Sequence, residues 1–301
     1  MKHYGFLHSE FRNSSAQSAR YHIIPVPFEA TVSYMGGTAK GPGAILEASL
    51  QLEQIVEGMG EPGMYGIHTT APVDSTYTES PQEVYHRISK LMNRSLDLEA
   101  VPILLGGEHS ITNGAINMIS RRFDPGTVGI LQFDAHMDLR DQYEKTPWSH
   151  ASVMRRAVEA DIPVYQVGIR NYCIEELEIR SQYSVGYTDA SQLYQLSRSS
   201  EGYTSLRLPE EFPQNLYITF DVDCLDASLM PATGTPEPGG LFWWDAAELL
   251  SRFTRGRRII GADVVELAPA EALHHCSYTA AKLTYYLMGL ASPGLSRPPL
   301  L

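Results

Sequence analysis

The sequence predicts an α/β fold with a mostly parallel central sheet and helices on both faces of that sheet. Strand-length apolar runs alternate with stretches of helical periodicity along the chain, which is the pattern of repeated βα units. Three of the runs, residues 101–105, 127–133 and 215–220, are largely apolar, as is typical of strands buried on both faces. No repeat, low-complexity tract or linker divides the sequence, so we expect one domain over residues 1–301.

The predicted elements follow one another in order. Residues 21–26 form the first strand, and Pro42 introduces a helix at residues 44–56, since proline suits a helix start. Residues 80–83 combine an N-cap serine, a first-turn proline and a capping-box glutamate, and so predict the next helix. Residues 195–213 are predicted to be a polar connection. The remaining predicted elements are helices at 109–120, 151–160, 243–253 and 280–290 and strands at 163–169 and 258–265.

The composition excludes several classes of partner. Apolar residues make up 43% of the chain, which is ample for a large core, and the net charge is −12. This acidic balance argues against a nucleic-acid or anionic-membrane partner and favours a cationic ligand. The sequence contains neither a secretory signal nor a membrane span, and its three widely spaced cysteines do not form a disulfide framework. We therefore expect a cytoplasmic protein.

Metal-binding side chains follow the strand at residues 127–133. Asp134, His136 and Asp138 occupy alternate positions, and in an extended segment alternate side chains leave from the same face. Anionic groups crowded at the end of an apolar strand are unfavourable unless a cation lies between them. The pattern therefore favours a metal ion, although this one motif also fits a polar turn.

Two other apolar strands also end in potential ligands. His109 follows residues 101–105, and Asp221 and Asp223 follow residues 215–220. In parallel sheets, sites form beyond the carboxyl ends of the strands, so all these groups should converge at one edge. Four carboxylates and two imidazoles make an oxygen-rich ligand set that suits Mn²⁺ better than Zn²⁺, with Co²⁺ and Ni²⁺ as alternatives.

Gly-Gly-Glu-His-Ser at 106–110, Phe-Asp-Ala-His-Met-Asp at 133–138 and Phe-Asp-Val-Asp-Cys-Leu-Asp at 220–226 resemble the three motifs of the ureohydrolases, the family of arginases and agmatinases. The resemblance continues to Asp-Val-Val-Glu at 263–266 and covers nearly the whole chain. It implies a three-layer α/β/α fold around an eight-stranded parallel sheet, two Mn²⁺ ions, and hydrolysis of a guanidino group to urea and an amine. It also implies a homotrimer or homohexamer.

The resemblance assigns a role to each site residue. It places His109, Asp134, Asp138 and Asp221 on one metal ion and Asp134, His136, Asp221 and Asp223 on the other. It implies that His150 shuttles a proton and that Glu266 binds the guanidinium group of the substrate. Without it, His150 would be an ordinary residue at a helix start, and Glu266 a strand-end carboxylate paired with an arginine such as Arg170.

Four further features receive structural interpretations. Asp263 is expected to support the site rather than touch the substrate, and Cys224 is expected to be a core residue. The His-His-Cys stretch at 274–276 lacks partners at ligand spacing, so we interpret it as a loop or helix start. The proline- and glycine-rich segment 233–240 is predicted to form a wall of the site.

The predicted substrate follows from two positions at which the sequence departs from the motifs of arginases. Arg140 stands where arginases have an asparagine that helps to bind the substrate carboxylate, and residues 171–173 lack the acidic groups that hold the α-amino group. The motifs most resemble those of agmatinases, which implies agmatine as substrate, urea and putrescine as products, and a place in polyamine synthesis. Guanidinobutyrate, formiminoglutamate, aminopropylagmatine and arginine remain alternatives, as does a non-catalytic regulatory relative.

Overall fold

The computed structural model describes residues 5–75 and 80–293. Eight strands form one sheet in the order β2-β1-β3-β8-β7-β4-β5-β6, and every pairing between neighbours is parallel. The strands are β1 Tyr21–Val26, β2 Ile67–Thr69, β3 Val101–Gly106, β4 Val128–Phe133, β5 Val164–Val167, β6 Gly186–Thr188, β7 Asn215–Asp221 and β8 Arg258–Val265.

Helices cover both faces of the sheet. They are α1 Gly41–Ser49, α2 Pro81–Asp97, α3 Asn113–Arg122, α4 Val153–Glu159, α5 Ile174–Gln182, α6 Ala190–Ser197, α7 Trp243–Phe253 and α8 His274–Leu290. Short 3-10 turns at His109–Thr112, His150–Ser152 and Val222–Cys224 follow strand ends or precede helices.

Alternation along the strands divides the core into two apolar layers. Ile103, Leu105 and Phe133 pack on the side of α1, α6, α7 and α8, whereas Leu104 and Ile130 pack on the side of α2, α3 and α4. Successive side chains of a strand point to opposite faces, so an apolar strand supplies both layers. The predicted three-layer α/β/α fold with an eight-stranded parallel sheet is confirmed.

Several element boundaries differ from the prediction. The first helix ends at Ser49 rather than at residue 56, and it begins at Gly41 because Pro42 lies within its first turn. The last helix begins at His274, six residues before its predicted start. Ser80 caps α2 without the predicted side-chain bond, since the Glu83 amide donates to the backbone carbonyl of Ser80.

The elements that the sequence did not predict lie mainly at the edges of the sheet. The strands β2 and β6 have only three residues each, which is too few for a clear alternation. The helices α5 and α6 were also missed, and α6 extends into the predicted polar connection at residues 195–213. Residues 1–4, 76–79 and 294–301, which the predicted domain includes, lie outside the described residues.

Four central strands position the candidate site. β3, β8, β7 and β4 are consecutive neighbours, and their carboxyl ends lead into the segments that carry the predicted ligands. Within residues 5–75 and 80–293, no helix is both long enough and apolar enough to cross a bilayer.

Candidate metal centre

All six predicted ligands meet at the carboxyl edge of the sheet. One comes after β3, three after β4 and two from the end of β7, and five of the six are nearly inaccessible to solvent. The six are His109, Asp134, His136, Asp138, Asp221 and Asp223.

The first half of the cluster surrounds His109. Its Nδ1 lies 3.1 Å from Asp134 Oδ2, 2.9 Å from Asp138 Oδ2 and 3.5 Å from Asp221 Oδ2. This nitrogen is buried, and none of these contacts has hydrogen-bond geometry. A buried ring nitrogen that faces three carboxylates without a hydrogen bond fits a cation held between them.

The second half of the cluster surrounds His136. Its Nδ1 lies 3.0 Å from Asp223 Oδ2 and 3.6 Å from Asp134 Oδ1. Ligand atoms of His109, Asp134 and Asp221 form one group with all spacings within 4.8 Å, and those of Asp134, His136 and Asp223 form another. Asp134 belongs to both groups, so the arrangement suits two ions that share a carboxylate.

Charge repulsion within the cluster appears in the pKa values of its members. Burial raises the pKa of Asp138 to about 7, and the neighbouring Asp134 carboxylate contributes to this rise. Burial also raises the pKa of Asp221 well above its usual range, and the carboxylates of Asp223 and Asp134 add to the effect. Burial alone would lower the pKa of His136, but the charges of Asp223 and Asp134 raise it to about 12. The cluster therefore requires positive charge to compensate its carboxylates.

A hydrogen-bonded chain fixes the orientation of His109. The Thr219 hydroxyl donates to Asp263 Oδ1 at 2.6 Å, and its oxygen lies 2.8 Å from His109 Nε2. Since the hydroxyl proton is committed to Asp263, Nε2–H donates to Thr219 and Nδ1 presents a lone pair to the cluster. Asp263 thus supports the site, as expected. Thr219 was missed, although it lies two residues before Asp221 on the same strand.

His150 lies beside the cluster and is held by the segment that follows β1. Its amide donates to Thr31 Oγ1 at 3.1 Å, and its Nδ1 lies 3.3 Å from the same oxygen. Thr31 in turn donates its hydroxyl to Glu108 Oε1 at 2.8 Å. Burial is the main cause that lowers the pKa of His150 to about 4. The ring is therefore neutral at pH 7 and able to accept a proton.

Glu266 follows β8 and is oriented by the first ligand segment. Its Oε1 accepts from the His109 amide at 2.6 Å, and burial raises its pKa well above the usual range. Arg170, the partner considered for it, instead donates to backbone carbonyls, including those of Asp223 and Glu237. Glu266 has a φ of 65°, a left-handed conformation that non-glycine residues adopt at a cost and that is often found at functional sites.

These groups line one cavity of about 200 Å³. Its wall includes five of the six clustered ligands together with His150 and Glu266. Gly234 and Thr235 also line the cavity, as predicted for residues 233–240. Further lining residues, which bear on the choice of substrate, are Arg140, Tyr143, Tyr172 and Glu176.

The other expectations concern residues outside the cavity. Cys224 is fully buried in the apolar core, as predicted. His274, His275 and Cys276 open helix α8, in agreement with their interpretation as a helix start, and they belong to neither ligand group found in the described part of the chain.

Comparison with known proteins decides the family. The family model described as "Arginase family" matches residues 19–289. The chain belongs to the arginase family. The predicted resemblance is thereby confirmed, and the protein is a hydrolase of the ureohydrolase type.

Relatives of this arginase-family protein include enzymes with two different names. An N(1)-aminopropylagmatine ureohydrolase of Synechocystis sp. is 34% identical and covers 94% of this chain and 92% of its own length. An agmatinase of Pyrococcus horikoshii is 32% identical, and the match covers 92% of this chain and 93% of the length of that enzyme. The crystal structure of agmatine ureohydrolase of Thermoplasma volcanium is 26% identical and superposes with a TM-score of 0.80 over 97% of this chain and 95% of its own.

Proposed function

We propose that this protein hydrolyses the guanidino group of agmatine and releases urea and putrescine, a reaction of polyamine synthesis. The observation that carries the proposal is the convergence of six metal-binding side chains with His150 and Glu266 around one cavity. Glu266, a carboxylate on the cavity wall that is not among the six proposed ligands, makes the cavity suited to a cationic substrate.

N1-aminopropylagmatine is the second candidate substrate. It carries the same guanidinobutyl group with a longer cationic tail, and the same cleavage would give urea and the corresponding triamine. It is favoured by the relative from Synechocystis sp. and by the open mouth of the cavity, where Tyr34 and Tyr172 are exposed.

The proposed cofactor is a pair of Mn²⁺ ions. His109, Asp134, Asp138 and Asp221 would hold one ion, and Asp134, His136, Asp221 and Asp223 the other. Two divalent ions balance the charges of the four carboxylates, and carboxylate oxygens favour manganese over zinc. When bound, such a pair supplies hydroxide at neutral pH by lowering the pKa of water.

Glu266 and His150 would act on the substrate. A carboxylate fixed by the His109 amide is positioned to receive the planar guanidinium and to hold its carbon in place. Attack at that carbon requires the leaving amine to gain a proton. Because His150 is neutral at pH 7, its ring can accept a proton during attack and donate it to the leaving nitrogen.

The setting of the enzyme is proposed on the same basis. Cys173, Cys224 and Cys276 are all free thiols, which supports a reducing cytoplasmic location. The family resemblance supports a homotrimer or homohexamer of the 33.4 kDa chain, and sedimentation would distinguish these states from a monomer.

A product assay with added Mn²⁺ tests the function. Agmatine, aminopropylagmatine, arginine, guanidinobutyrate and formiminoglutamate are compared side by side, with urea measured for the guanidino compounds and formamide for the formimino compound. We expect turnover of the carboxylate-free amines. Activity confined to carboxylate-bearing compounds would overturn the substrate assignment, and no turnover of any compound would favour the non-catalytic alternative.

A further inference from the structure

Arg140 and Glu176 line the same cavity as the clustered ligands. Arg140 lies two residues after Asp138, and Glu176 lies in the first turn of α5. The Nε atom of Arg140 is 3.9 Å from Glu176 Oε2. The arginine side chain is 36% exposed, whereas that of the glutamate is only 4% exposed. An arginine on the wall of this cavity would repel a cationic substrate unless its charge is compensated.

The backbone holds Glu176 in place. Its Oε1 accepts from the Leu139 amide at 3.1 Å, and its Oε2 accepts from the Cys173 amide at 2.9 Å. The second bond belongs to the capping box that begins α5, and a helix N-terminus favours an anionic side chain. The Glu176 carboxylate is therefore a fixed part of the cavity wall, and it is hydrogen-bonded to Leu139, the residue before Arg140.

Tyr143 and His150 continue this wall. The Arg140 guanidinium lies over the Tyr143 ring, with its carbon 5.2 Å from the ring centroid. The Tyr143 ring contacts the imidazole of His150 edge to face, at a centroid distance of 5.7 Å. Arg140 is thus connected, through one aromatic ring, to the residue proposed to transfer the proton.

We propose that Glu176 masks the charge of Arg140 and thereby sets the preference for a substrate with a cationic distal end. The inference rests on the proposed function and deepens it. Without the carboxylate, Arg140 would present an unpaired guanidinium to the cavity, which would attract a substrate carboxylate and repel an ammonium group. Glu176 contacts Arg140 rather than the reacting atoms. It therefore affects specificity indirectly, by positioning Arg140 and compensating its charge.

The test compares two substrates that differ at the distal end. Agmatine and guanidinobutyrate both place a guanidino group on a four-carbon chain, but one ends in an ammonium group and the other in a carboxylate. For Glu176→Gln, we expect the ratio of kcat/KM for agmatine to that for guanidinobutyrate to fall by about tenfold or more, chiefly through KM. Adding Arg140→Met to that variant should restore the ratio towards the wild-type value.

Glu175→Gln is the matched control. It removes the same charge from the neighbouring position on α5, but Glu175 is exposed and does not line the cavity. Its substrate ratio should equal that of the wild type. A merely structural defect at α5 would lower activity on both substrates alike, so the ratio separates charge masking from loss of structure.

Equilibrium binding of both compounds to the Mn²⁺-loaded protein completes the experiment. If the wild type binds but does not turn over either compound, the proposed function fails, while the shift of the binding ratio in Glu176→Gln still tests this inference. An unchanged ratio in Glu176→Gln would overturn the inference alone. A wild-type preference for guanidinobutyrate would overturn both, because Arg140 would then bind a carboxylate with Glu176 in place.

Discussion

Thr31 connects the buried carboxylate of Glu108 to His150, the histidine beside the cluster of proposed ligands. Its hydroxyl donates to Glu108, and its oxygen faces both the amide and the Nδ1 atom of His150. Because the Thr31 hydroxyl proton is committed to Glu108, a hydrogen bond between Thr31 and His150 places the ring proton on Nδ1 and leaves Nε2 available for proton transfer. The Ser149 hydroxyl also lies 3.3 Å from Nδ1. Thr31, 119 residues away in sequence, therefore orients the imidazole and favours one of its two tautomers.

Replacement of this hydroxyl should slow the reaction without removing metal. For Thr31→Val, which keeps the shape of the side chain, we expect kcat to fall roughly fivefold, since one buried hydrogen bond contributes about 1 kcal/mol. Urea release and metal content would be measured together. Thr70→Val is the control, because the Thr70 hydroxyl donates to the carbonyl of Ala71 and, among the described residues, to no group of the site. A Thr31→Val variant with unchanged kcat would contradict this role.

The convergence of the six proposed ligands could be anticipated from the sequence, whereas the side chains that support them could not. Asp134, His136 and Asp138 are close in sequence, and the alternation of an extended segment predicted one common face. The chain leaves strand geometry after Phe133, however, and Asp138 has a φ of 55°. Thr31 and Glu176 reach the site from separate segments, and their contacts depend on tertiary packing that a local pattern does not contain. Arg140 was recognised as important for the substrate, but its pairing with Glu176 joins residues 36 positions apart.

Among the glycines in the described part of the chain, Gly107 in the turn after β3 leaves the least room for a side chain. A Cβ atom at Gly107 would lie 1.9 Å from the carbonyl oxygen of Phe28, and the Gly107 amide donates to Val26 at 2.9 Å. The end of β3 thus approaches the segment after β1 so closely that only glycine fits. This approach also places His109, two residues later, at the cluster.

Gly107→Ala should therefore destabilise the fold. We expect a loss of roughly 3 kcal/mol in the free energy of unfolding, because the backbone of Phe28 must shift in a packed region. Urea denaturation would measure it. Gly43→Ala is the control: Gly43 lies in helix α1 with open space around its Cα, so alanine should leave stability unchanged or raise it slightly. Equal stability of the two variants would exclude this packing constraint.

Asp226 fastens the loop that forms one wall of the cavity. Its carboxylate accepts from the amides of Gly239 at 2.7 Å and Gly240 at 3.1 Å, and from the amide and hydroxyl of Ser228. Partial burial alone would raise its pKa, but these hydrogen bonds outweigh that effect and lower the pKa below its ordinary value. The ionised form of Asp226 is therefore the form that accepts the hydrogen bonds from this loop.

This pKa shift makes the contribution of Asp226 depend on pH. A lowered folded-state pKa gives stability that is complete above the unfolded value, about 3.9, and is lost as the pH falls through the folded value. Asp226→Asn should be less stable than the wild type by about 1 kcal/mol at pH 7, and the difference should shrink in acid. Denaturation at pH 7 and pH 3 measures this, with the exposed Asp124→Asn as control. A difference that grows in acid would refute the assignment.

Central elements were predicted better than edge elements. β7, β8 and α7 lie where the sequence placed them, because burial on both faces or a clear apolar stripe leaves a strong pattern. The short edge strands β2 and β6 pair on one side only, so their sequences carry little constraint from packing. The early end of α1 depends on where the chain must turn back, which the periodicity of residues 50–56 does not reveal.

At the scale of the whole molecule, we expect the carboxylate cluster to couple stability to metal binding. Metal that binds the folded state alone stabilises it by mass action, so chelation should lower the melting temperature by several degrees and abolish turnover. For Asp221→Ala, which removes a carboxylate proposed to bridge both ions, added Mn²⁺ should no longer raise the melting temperature. Calorimetry with and without Mn²⁺ provides the measurement. A metal-dependent rise equal to that of the wild type, with full activity, would disprove the bridge.

The class of fold followed from the sequence, but the order of the strands did not. Alternating strand and helix patterns imply parallel pairing with crossover helices, and the structure has this arrangement. Which strands are neighbours depends on how the two halves of the chain meet, and local periodicity says nothing about that. β8 pairs with β3 across more than 150 residues, between Ala262 and Ile103.

The strand order has a consequence for synthesis of the chain on the ribosome. β3, which precedes His109, and β4, which precedes Asp134, are not neighbours, because β8 and β7 from the last third of the chain lie between them. Until Val265, the last residue of β8, has left the ribosome, the nascent chain lacks the centre of its own sheet. The pairing of β8 with β3 joins residues far apart in sequence, and such contacts form late in folding. Binding of the proposed metal ions should therefore follow translation rather than accompany it, so the growing chain would carry its acidic segments unneutralised until the final strand is inserted.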